Sequence, residues 1–280
     1  MPEVRSPTVR RRELGALLRA LRQERGMTVE QVAERLLCSP SKVSRMETGQ
    51  RGATARDIRD LCDLYGVSEP ERSRMMELAR EGKKPGWWQS YDLDFGTYVG
   101  LEAEAVALRY YQSSLIPGLL QTADYARAIV EVWEPRQADE RVAQLVEVKQ
   151  TRQQLLKRDP PLKVWAILDE AVFHRVVGGP SVMAEQLDKL IELSNDSDVT
   201  IQVITYDAGA HVAMGSIFNI LDFANAPSVV YVEGLVGWIY LERQQDIDRY
   251  NLVFDRLLTQ ALSSRDSVDL IAKMSKAYKR

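Results

Sequence analysis

The sequence predicts two domains of different fold class: an all-α domain of five short helices, then an α+β domain with a mixed sheet and helices. Three observations lead to this prediction. Residues 10–81 carry apolar residues at helical spacing in short segments. Residues 162–233 carry short apolar or alternating runs separated by turn signals, which is typical of strands. Between these regions, the run EGKKPG at 81–86 cannot continue a helix, because Pro lacks an N–H group and clashes with the preceding turn.

The length of 280 residues leaves room for two domains of ordinary size. We expect a first domain over residues 1–82, a linker over 83–98 and a C-terminal domain over 99–280. Trp87 and Trp88 are too large to remain bare, so we expect the linker to pack on the second domain as a tether. A flexible, exposed linker would also fit the glycines.

Each predicted helix of the first domain has an apolar stripe that can face a common small core. In chain order the stripes are Leu14, Leu17, Leu18 and Leu21; Val29, Val32, Ala33 and Leu36; Val43 and Met46; Ala55, Ile58, Leu61, Cys62 and Tyr65; and Met75, Met76 and Leu78.

The segment 28–50 predicts two short helices joined by a tight turn. Thr28 is a good N-cap, and Gln31 three residues later completes a capping box. Ser39 caps the next helix, with Pro40 at the first position, where no N–H is needed. Gly49 ends that helix, because glycine tolerates a positive φ.

The second of these helices should present small hydroxyls and cations to solvent. Ser41, Lys42, Ser44 and Arg45 point away from Val43 and Met46 in the helical pattern. Such a face suits a DNA major groove, because Arg or Lys reaches guanine O6 and N7 while serine permits close approach. An ordinary helical hairpin is the alternative.

The run LLRALRQERGMTVEQVAERLLCSPSKVSRMETGQRGAT resembles the XRE (lambda-repressor-like) helix-turn-helix family in its apolar positions, turn, serines and terminal Glu-Thr-Gly. The resemblance implies a five-helix lambda-repressor-like DNA-binding domain. Leu37 stands where the family often has a small residue, usually Gly, so we expect a longer or wider turn. The DNA contacts expected in this segment are Thr28, Ser39, Ser41, Lys42, Ser44, Arg45 and Gln50.

Charge is distributed unevenly along the chain. Residues 1–59 contain 13 Lys and Arg against 7 Asp and Glu, whereas the whole chain has a net charge of −3. A basic N-terminal region on an acidic protein is typical of a DNA reader attached to another domain. We expect phosphate contacts from arginines near helix ends, although each alone would also fit a solvated face. These are Arg10, Arg11, Arg12, Arg51 and Arg56.

Several protein classes are disfavoured. No apolar run is long enough for a bilayer and the Arg-rich start lacks a hydrophobic signal, so we expect a cytoplasmic protein without membrane association. Cys38 and Cys62 are expected to be free thiols. His174 and His211 make no zinc pattern, so we expect no metal and no cofactor.

The second domain is expected to open with helices and continue with strands. Residues 162–168 and 199–204 read as buried strands separated by helices, and the two should be parallel. Residues 216–223 and 228–233 alternate in polarity and predict a hairpin. The predicted helices cover residues 102–111, a segment capped by Thr122, 141–157, 170–177, 181–193, 246–261 and 267–278.

A second resemblance rests on IPGLLQTADYARAI, ILDEAVFHRVVGGPSVMAEQLDKL, TIQVITYDAGAH, GSIFNILDF and VVYVEG. These segments look like an antitoxin-like domain found behind helix-turn-helix modules in actinobacterial regulators. The resemblance spans about residues 87–275. It implies a small acidic partner protein encoded nearby.

Two chemistries are open to this domain. Asp169, Glu170, His174 and His211 follow predicted strands, so a carboxylate–histidine hydrolase is conceivable, but no nucleophile elbow, phosphate loop or metal spacing accompanies them. A binding module fits better. Its candidate effector residues are His211, Glu233, Trp238 and Tyr240, although the aromatic pair could equally be core.

Together these observations predict a homodimeric, non-enzymatic transcriptional regulator that binds a double-stranded operator and whose C-terminal domain senses a small partner protein or ligand. The alternatives are an antitoxin-like protein that mainly sequesters a small partner, and an enzyme with a DNA-targeting domain.

Overall fold

The computed structural model describes residues 7–84, 86–91, 93, 95–224, 226–234 and 237–280. Residues 1–6 of the predicted first domain, and Pro85, Asp92 and Asp94 of the predicted linker, lie outside this range. The chain divides into two compact units, Met1–Glu104 and Ala105–Arg280. Our sequence-based limits of 1–82, 83–98 and 99–280 stay a prediction, and the division between the units lies a few residues beyond the predicted start of the second domain.

The first unit contains the five expected helices, which confirms the all-α prediction. They are α1 Pro7–Glu24, α2 Val29–Arg35, α3 Pro40–Glu47, α4 Ala55–Tyr65 and α5 Glu71–Glu81. Their apolar stripes meet in one core whose fully buried members include Val32, Ile58, Cys62 and Met75. The 3.6-residue period of the sequence therefore identifies the inward faces, except that Ala55, predicted to face inward at the start of α4, is exposed.

A sixth helix, α6 Gly96–Glu104, also belongs to the first unit and packs against α1. The contact is close because Gly100 has no side chain: a Cβ there would lie 2.5 Å from Thr8 Oγ1. The expected linker contains a 3₁₀ helix, Trp87–Tyr91, in which Trp88 is buried beside Gly100. These contacts of Trp88 lie within the first unit.

A buried ion pair joins α1 to α3. Arg22 donates from Nε and Nη2 to the two carboxylate oxygens of Glu47, at 2.7 and 2.9 Å. Its Nη1 also donates to the Met27 carbonyl at 2.8 Å. This bidentate geometry ties the end of α1 to the end of α3.

The second unit is built on a six-stranded mixed sheet, which confirms the α+β prediction. The strands are β1 Ala107–Gln112, β2 Lys163–Asp169, β3 Val199–Ile204, β4 Phe218–Asp222, β5 Val229–Gly234 and β6 Gly237–Leu241. Their order is β3-β2-β1-β4-β5-β6. The first three are parallel and the last three are antiparallel, with β1 and β4 joining the two halves.

Two strand predictions are confirmed and one helix prediction is wrong. The parallel pair β2–β3 and the hairpin β4–β5 occur where expected. Residues 102–111, predicted as one helix, instead form the end of α6 and most of β1. The Ala- and Leu-rich composition favours a helix locally. However, Leu108, Tyr110 and Tyr111 are buried in the sheet, so tertiary pairing decides the conformation.

The remaining helices of the second unit are α7 Ala123–Trp133, α8 Asp139–Arg152, α9 Ala171–His174, α10 Pro180–Leu193, α11 Gln244–Gln260 and α12 Ser264–Tyr278. Thr122 caps α7 as predicted, accepting from the Tyr125 N–H at 3.2 Å. The helix expected over 170–177 is reduced to the four residues of α9. A 3₁₀ helix, Gln153–Lys157, continues α8. No helix among the described residues is long and apolar enough to cross a bilayer.

Candidate nucleic-acid interface and effector site

Helix α3 is fixed by side chains at its start and by a glycine just beyond its end. Ser39 Oγ accepts from the Lys42 N–H at 3.2 Å, and Pro40 occupies the first position. Gly49, just past the helix, has φ of 69°. A Cβ on Gly49 would also lie 2.7 Å from Arg12 Cγ, so this position needs glycine both for its dihedral angle and for space.

The outward face of α3 is open to solvent. Ser41, Ser44 and Arg45 are exposed, whereas Val43 and Met46 are buried. Arg45 donates from Nε to the Ser41 carbonyl at 3.2 Å, and its two terminal nitrogens make no hydrogen bond to the described residues. Those nitrogens are the atoms that a bidentate contact to guanine would use.

Lys42 differs from its neighbours because it is held by the protein itself. Its Nζ lies 2.5 Å from Asp57 Oδ1 on α4. Partial burial opposes ionisation of Asp57, but the hydrogen bonds from Lys42 and Thr54 together lower the pKa of its carboxyl group. The charge of Lys42 is therefore neutralised locally, and the expected DNA contact from this residue stays a prediction.

The turn between α2 and α3 is shaped by Leu37. This residue has φ of 51°, in the left-handed region that non-glycine residues rarely adopt, and its side chain is 94% exposed. Leu37 thus adopts the left-handed conformation that glycine favours, at a position where the family that this segment resembles often has Gly.

The N-terminal arginines mostly face other parts of the first unit. Arg10 is held by Glu13 at 2.8 Å and only 13% of its side chain is exposed. Burial lowers the pKa of Arg11, which lies against Gly82. Arg12 packs on Gly49. These contacts favour structural roles, so their expected phosphate contacts are the least supported of the set.

The other predicted contacts are exposed. Thr28 is occupied as the N-cap of α2, with both halves of the capping box formed with Gln31. Gln50 and Arg51 follow α3 directly and face solvent. Arg56 is 85% exposed and lies 3.6 Å from Asp60. Loose surface pairs of this kind cost little to break, so Arg56 remains available to a phosphate.

In the second unit, the sheet separates the four predicted effector residues. Side chains alternate between the faces of a strand. Tyr111, Phe218 and Val230 face α11 in a common core, and His211 lies on Tyr111 with ring centroids 5.4 Å apart. Glu233, Trp238 and Tyr240 occupy alternate positions that point to the opposite face. The structure therefore does not bring His211 to the other three.

His211 lies at the carboxyl ends of the parallel strands. Its Nε2 is 3.2 Å from the Tyr111 hydroxyl and 3.6 Å from Asp169 Oδ2, and its side chain is 5% exposed. Because Nδ1 accepts from the Ala213 N–H, the neutral ring carries its hydrogen on Nε2. Burial, and then the Asp169 charge, raise the pKa of Tyr111, so its hydroxyl stays protonated.

The neighbouring carboxylates hold the start of α9, after β2, and the loop that follows β3. Asp169 Oδ1 accepts from the Ala171 N–H, and Glu170 Oε2 accepts from the Tyr206 N–H, both at 2.9 Å. His174 stacks on Tyr206, with centroids 5.5 Å apart. The candidate hydrolase residues do share this sheet edge, but their hydrogen bonds serve to fasten the chain. Among the described residues, no group of three His, Cys, Asp or Glu is arranged for a metal.

Glu233, Trp238 and Tyr240 belong to the β5–β6 ladder at the edge of the sheet. Trp238 is the cross-strand partner of Glu233, and Tyr240 packs on Tyr231 with ring centroids 5.4 Å apart. Glu233 is an exposed residue of β5; partial desolvation of its carboxyl group raises its pKa, while Lys149 and Arg152 on α8 oppose that rise. The face that carries these residues therefore meets a positively charged part of α8.

Two residues of these sites, Asp57 and Tyr111, were missed by sequence reasoning. The spacing of Thr54 and Asp57 is that of a capping box, and the structure forms one, so the pattern could have identified Asp57 as a helix-start residue. Tyr111 has no such signal, because the local composition around it favours a helix.

Two family models match the chain. One, described as a helix-turn-helix domain, matches residues 13–75. The other, described as a domain of unknown function (DUF5753), matches residues 95–273, which is more than half of the chain. No curated protein and no solved structure gave a significant match.

Proposed function

The chain belongs to the family of the domain of unknown function DUF5753, and from that premise we propose that it is a sequence-specific transcriptional regulator of the XRE type. Its helix-turn-helix domain supports a DNA-binding regulator. The observation that carries the proposal is the exposed face of α3, where Ser41, Ser44 and Arg45 stand on a rigidly capped helix. A small, capped helix with one projecting arginine fits a major groove.

In this proposal Arg45 contacts a base, and the residues around it contact the DNA phosphates and so position the protein on the duplex. The two terminal nitrogens of Arg45 make no hydrogen bond to the described residues, whereas Lys42 is engaged with Asp57. Further contacts are expected from exposed side chains at the ends of α3 and α4, where phosphates would pass, and from hydroxyls at two helix starts, which are favourable places for a phosphate. The first group is Gln50, Arg51 and Arg56, and the second is Thr28 and Ser39.

The test compares Arg45→Ala with Arg136→Ala, which removes an exposed arginine from the second unit and changes the net charge equally. A duplex selected from a random pool by the wild-type chain serves as operator, and a scrambled duplex measures non-specific binding. We expect Arg45→Ala to lose about 1–3 kcal/mol of sequence preference, the value of one bidentate base contact. Arg136→Ala should keep it. An unchanged preference in a normally folded Arg45→Ala protein would overturn the assignment.

Dimerisation is part of the proposal. A single helix-turn-helix module reads about half a site and buries too little surface for tight specific binding. We assign the dimer contact to the second unit, because the first unit uses its apolar residues in its own core. Sedimentation of the full chain should give twice the mass of 31.8 kDa.

The second unit is proposed to sense a ligand or partner and to change operator affinity. Its resemblance to antitoxin-like domains of actinobacterial regulators suggests a small acidic partner protein encoded nearby. Any such effector must bind one state of the regulator more tightly than the other, and operator DNA must then change effector affinity by the same factor. Capture of the neighbouring gene product by the tagged full chain would test this partner.

A further inference from the structure

Two lysines of the second unit meet at one buried glutamine, and an arginine lies nearby on the same helix as one of them. We call Lys149, Arg152 and Lys189 the cationic cluster. Lys149 Nζ donates to Gln121 Oε1 at 3.2 Å, and Lys189 Nζ donates to the Gln121 carbonyl and to Gln153 Oε1, both at 2.8 Å. Gln121 itself is 3% exposed. The two ammonium groups are thus drawn from α8 and α10 to the same short segment.

Arg152 adds a third positive charge on the same side of α8. It is 7% exposed, and its guanidinium lies over Gly118, where a Cβ would stand 3.4 Å from Nη1. The charge of Arg152 also disfavours protonation of Lys149, lowering the pKa of that lysine, so the two groups are close enough to repel each other.

Neither lysine forms an ion pair with a carboxylate, although Glu233 acts on Lys149 and Glu192 acts on Lys189 from a longer distance. Among the described residues, no Asp or Glu lies within ion-pair distance of Lys149 Nζ or Lys189 Nζ, and their hydrogen bonds go to neutral amide oxygens. Removing a charge from water without an ionic partner costs free energy. Such groups are therefore found preferentially in catalytic or binding sites. Glu233 faces the cluster but is too distant for an ion pair with Lys149.

An aromatic side chain connects the cluster to the surface. Trp133, at the end of α7, has its ring centroid 5.7 Å from Lys149 Nζ and is 59% exposed. Trp238 is the strand neighbour of Glu233 and is partly exposed. A bound molecule could therefore place an anionic group near the lysine and an apolar body on the exposed ring.

We propose that the cationic cluster is a binding site for a small organic anion, a carboxylate or phosphate, whose charge is received by Lys149 and whose body rests on Trp133. This inference names the effector class of the proposed regulator and so rests on the proposed function. The anion would supply the counter-charge that the two lysines lack, and Glu233 would compete with it for the cluster.

The pKa shifts of Lys149 and Glu233 predict how the affinity for an anion changes with pH. Burial and the Arg152 charge lower the pKa of Lys149 to about 8, while Glu233 opposes that shift. An anion of fixed charge, such as benzoate, prefers the protonated lysine, so its affinity should fall as the pH rises through about 8. Glu233, whose pKa burial raises, weakens binding only when ionised. Removing its charge should therefore strengthen binding.

The test uses the full chain without DNA and two probes, sodium benzoate and sodium phosphate, against sodium chloride at equal ionic strength. Calorimetric titration compares the wild type with Lys149→Met, with Glu233→Gln and with Lys276→Met as the matched control, because Lys276 is an exposed lysine on α12. We expect saturable binding of at least one probe in the wild type and in Lys276→Met. Lys149→Met should bind about tenfold more weakly or worse, and Glu233→Gln more tightly.

The wild-type pH profile keeps the proposal falsifiable even if Lys149→Met fails to fold. Affinity that is independent of pH across the titration of Lys149, or the absence of saturable binding of both probes, overturns the anion site. Equal binding by Lys149→Met and Lys276→Met does the same. A separate titration with the selected operator duplex, with and without the bound probe, measures operator affinity. Anion binding that leaves this affinity unchanged would support the site and contradict its regulatory role, so the two failures are distinguishable.

Discussion

The two units of the chain differ in how their structure depends on sequence neighbours. In the first unit, α2, α3 and α4 begin at a Thr or Ser whose hydroxyl accepts from a backbone N–H three residues later. In the second unit, the central strand β1 pairs with β2, more than 50 residues ahead, and with β4, more than 100 residues ahead. Local signals are sufficient where contacts are local. They fail where the conformation is determined by partners far along the chain.

Long-range contacts also stabilise the first unit. Arg22 and Glu47 are 25 residues apart and form a bidentate pair with side-chain exposures of 13% and 6%. In the second unit, Gln186 on α10 has an analogous role but without charge. It accepts from the Thr122 N–H at 2.6 Å and donates to the Leu120 carbonyl at 2.8 Å.

The largest expected effect comes from Glu47→Ala. The substitution leaves the buried guanidinium of Arg22 without its carboxylate, and breaking one side of such a pair costs about 3–5 kcal/mol. Urea denaturation of the full chain measures the loss. Glu77→Ala is the control, because its pair with Arg80 is exposed on α5 and should matter little. Equal effects of the two substitutions would show that burial of the ion pair contributes nothing.

Gln186→Ala should have the next largest effect. It leaves the partly buried N–H of Thr122 and the buried C=O of Leu120 without partners, and an unpaired buried group costs roughly 1–3 kcal/mol, so we expect about 2–4 kcal/mol in total. Glu185→Ala, an exposed neighbour on the same helix, should stay near the wild-type value in the same denaturation experiment. A small effect of Gln186→Ala would mean that water replaces both hydrogen bonds.

Leu37→Gly should have the smallest effect and the opposite sign. A left-handed conformation costs a non-glycine residue roughly 1–2 kcal/mol, and the larger unfolded-state entropy of glycine offsets part of this gain, which leaves about 1 kcal/mol or less. The Leu37 side chain is 94% exposed, so little burial is lost. Calorimetry measures the gain. Leu37→Ala keeps the strained φ and should give no gain; a gain in that control would locate the strain elsewhere.

The sequence predicts some parts of the candidate sites better than others, because some depend on local spacing and others on contacts between distant parts of the chain. The outward positions of α3 follow from helical periodicity, so the sequence alone places Ser41, Ser44 and Arg45 on that face. It does not predict the pairing of Lys42 with Asp57, because the two residues lie on different helices. The separation of His211 from Trp238 depends on strand alternation across β1, β4 and β5, and the local sequence of β1 favours a helix.

The sequence by itself determined the caps of the first helices, the inward faces of α1 to α5, the parallel pair β2–β3 and the hairpin β4–β5. Each of these depends on residue spacing within a few positions or on a short apolar run. Only the tertiary structure decided that residues 107–112 form the central strand and that α6 joins the first unit. It also decided that Lys149 and Lys189 meet at Gln121. The physical reason is that burial and charge proximity depend on elements that the chain brings together only when it folds.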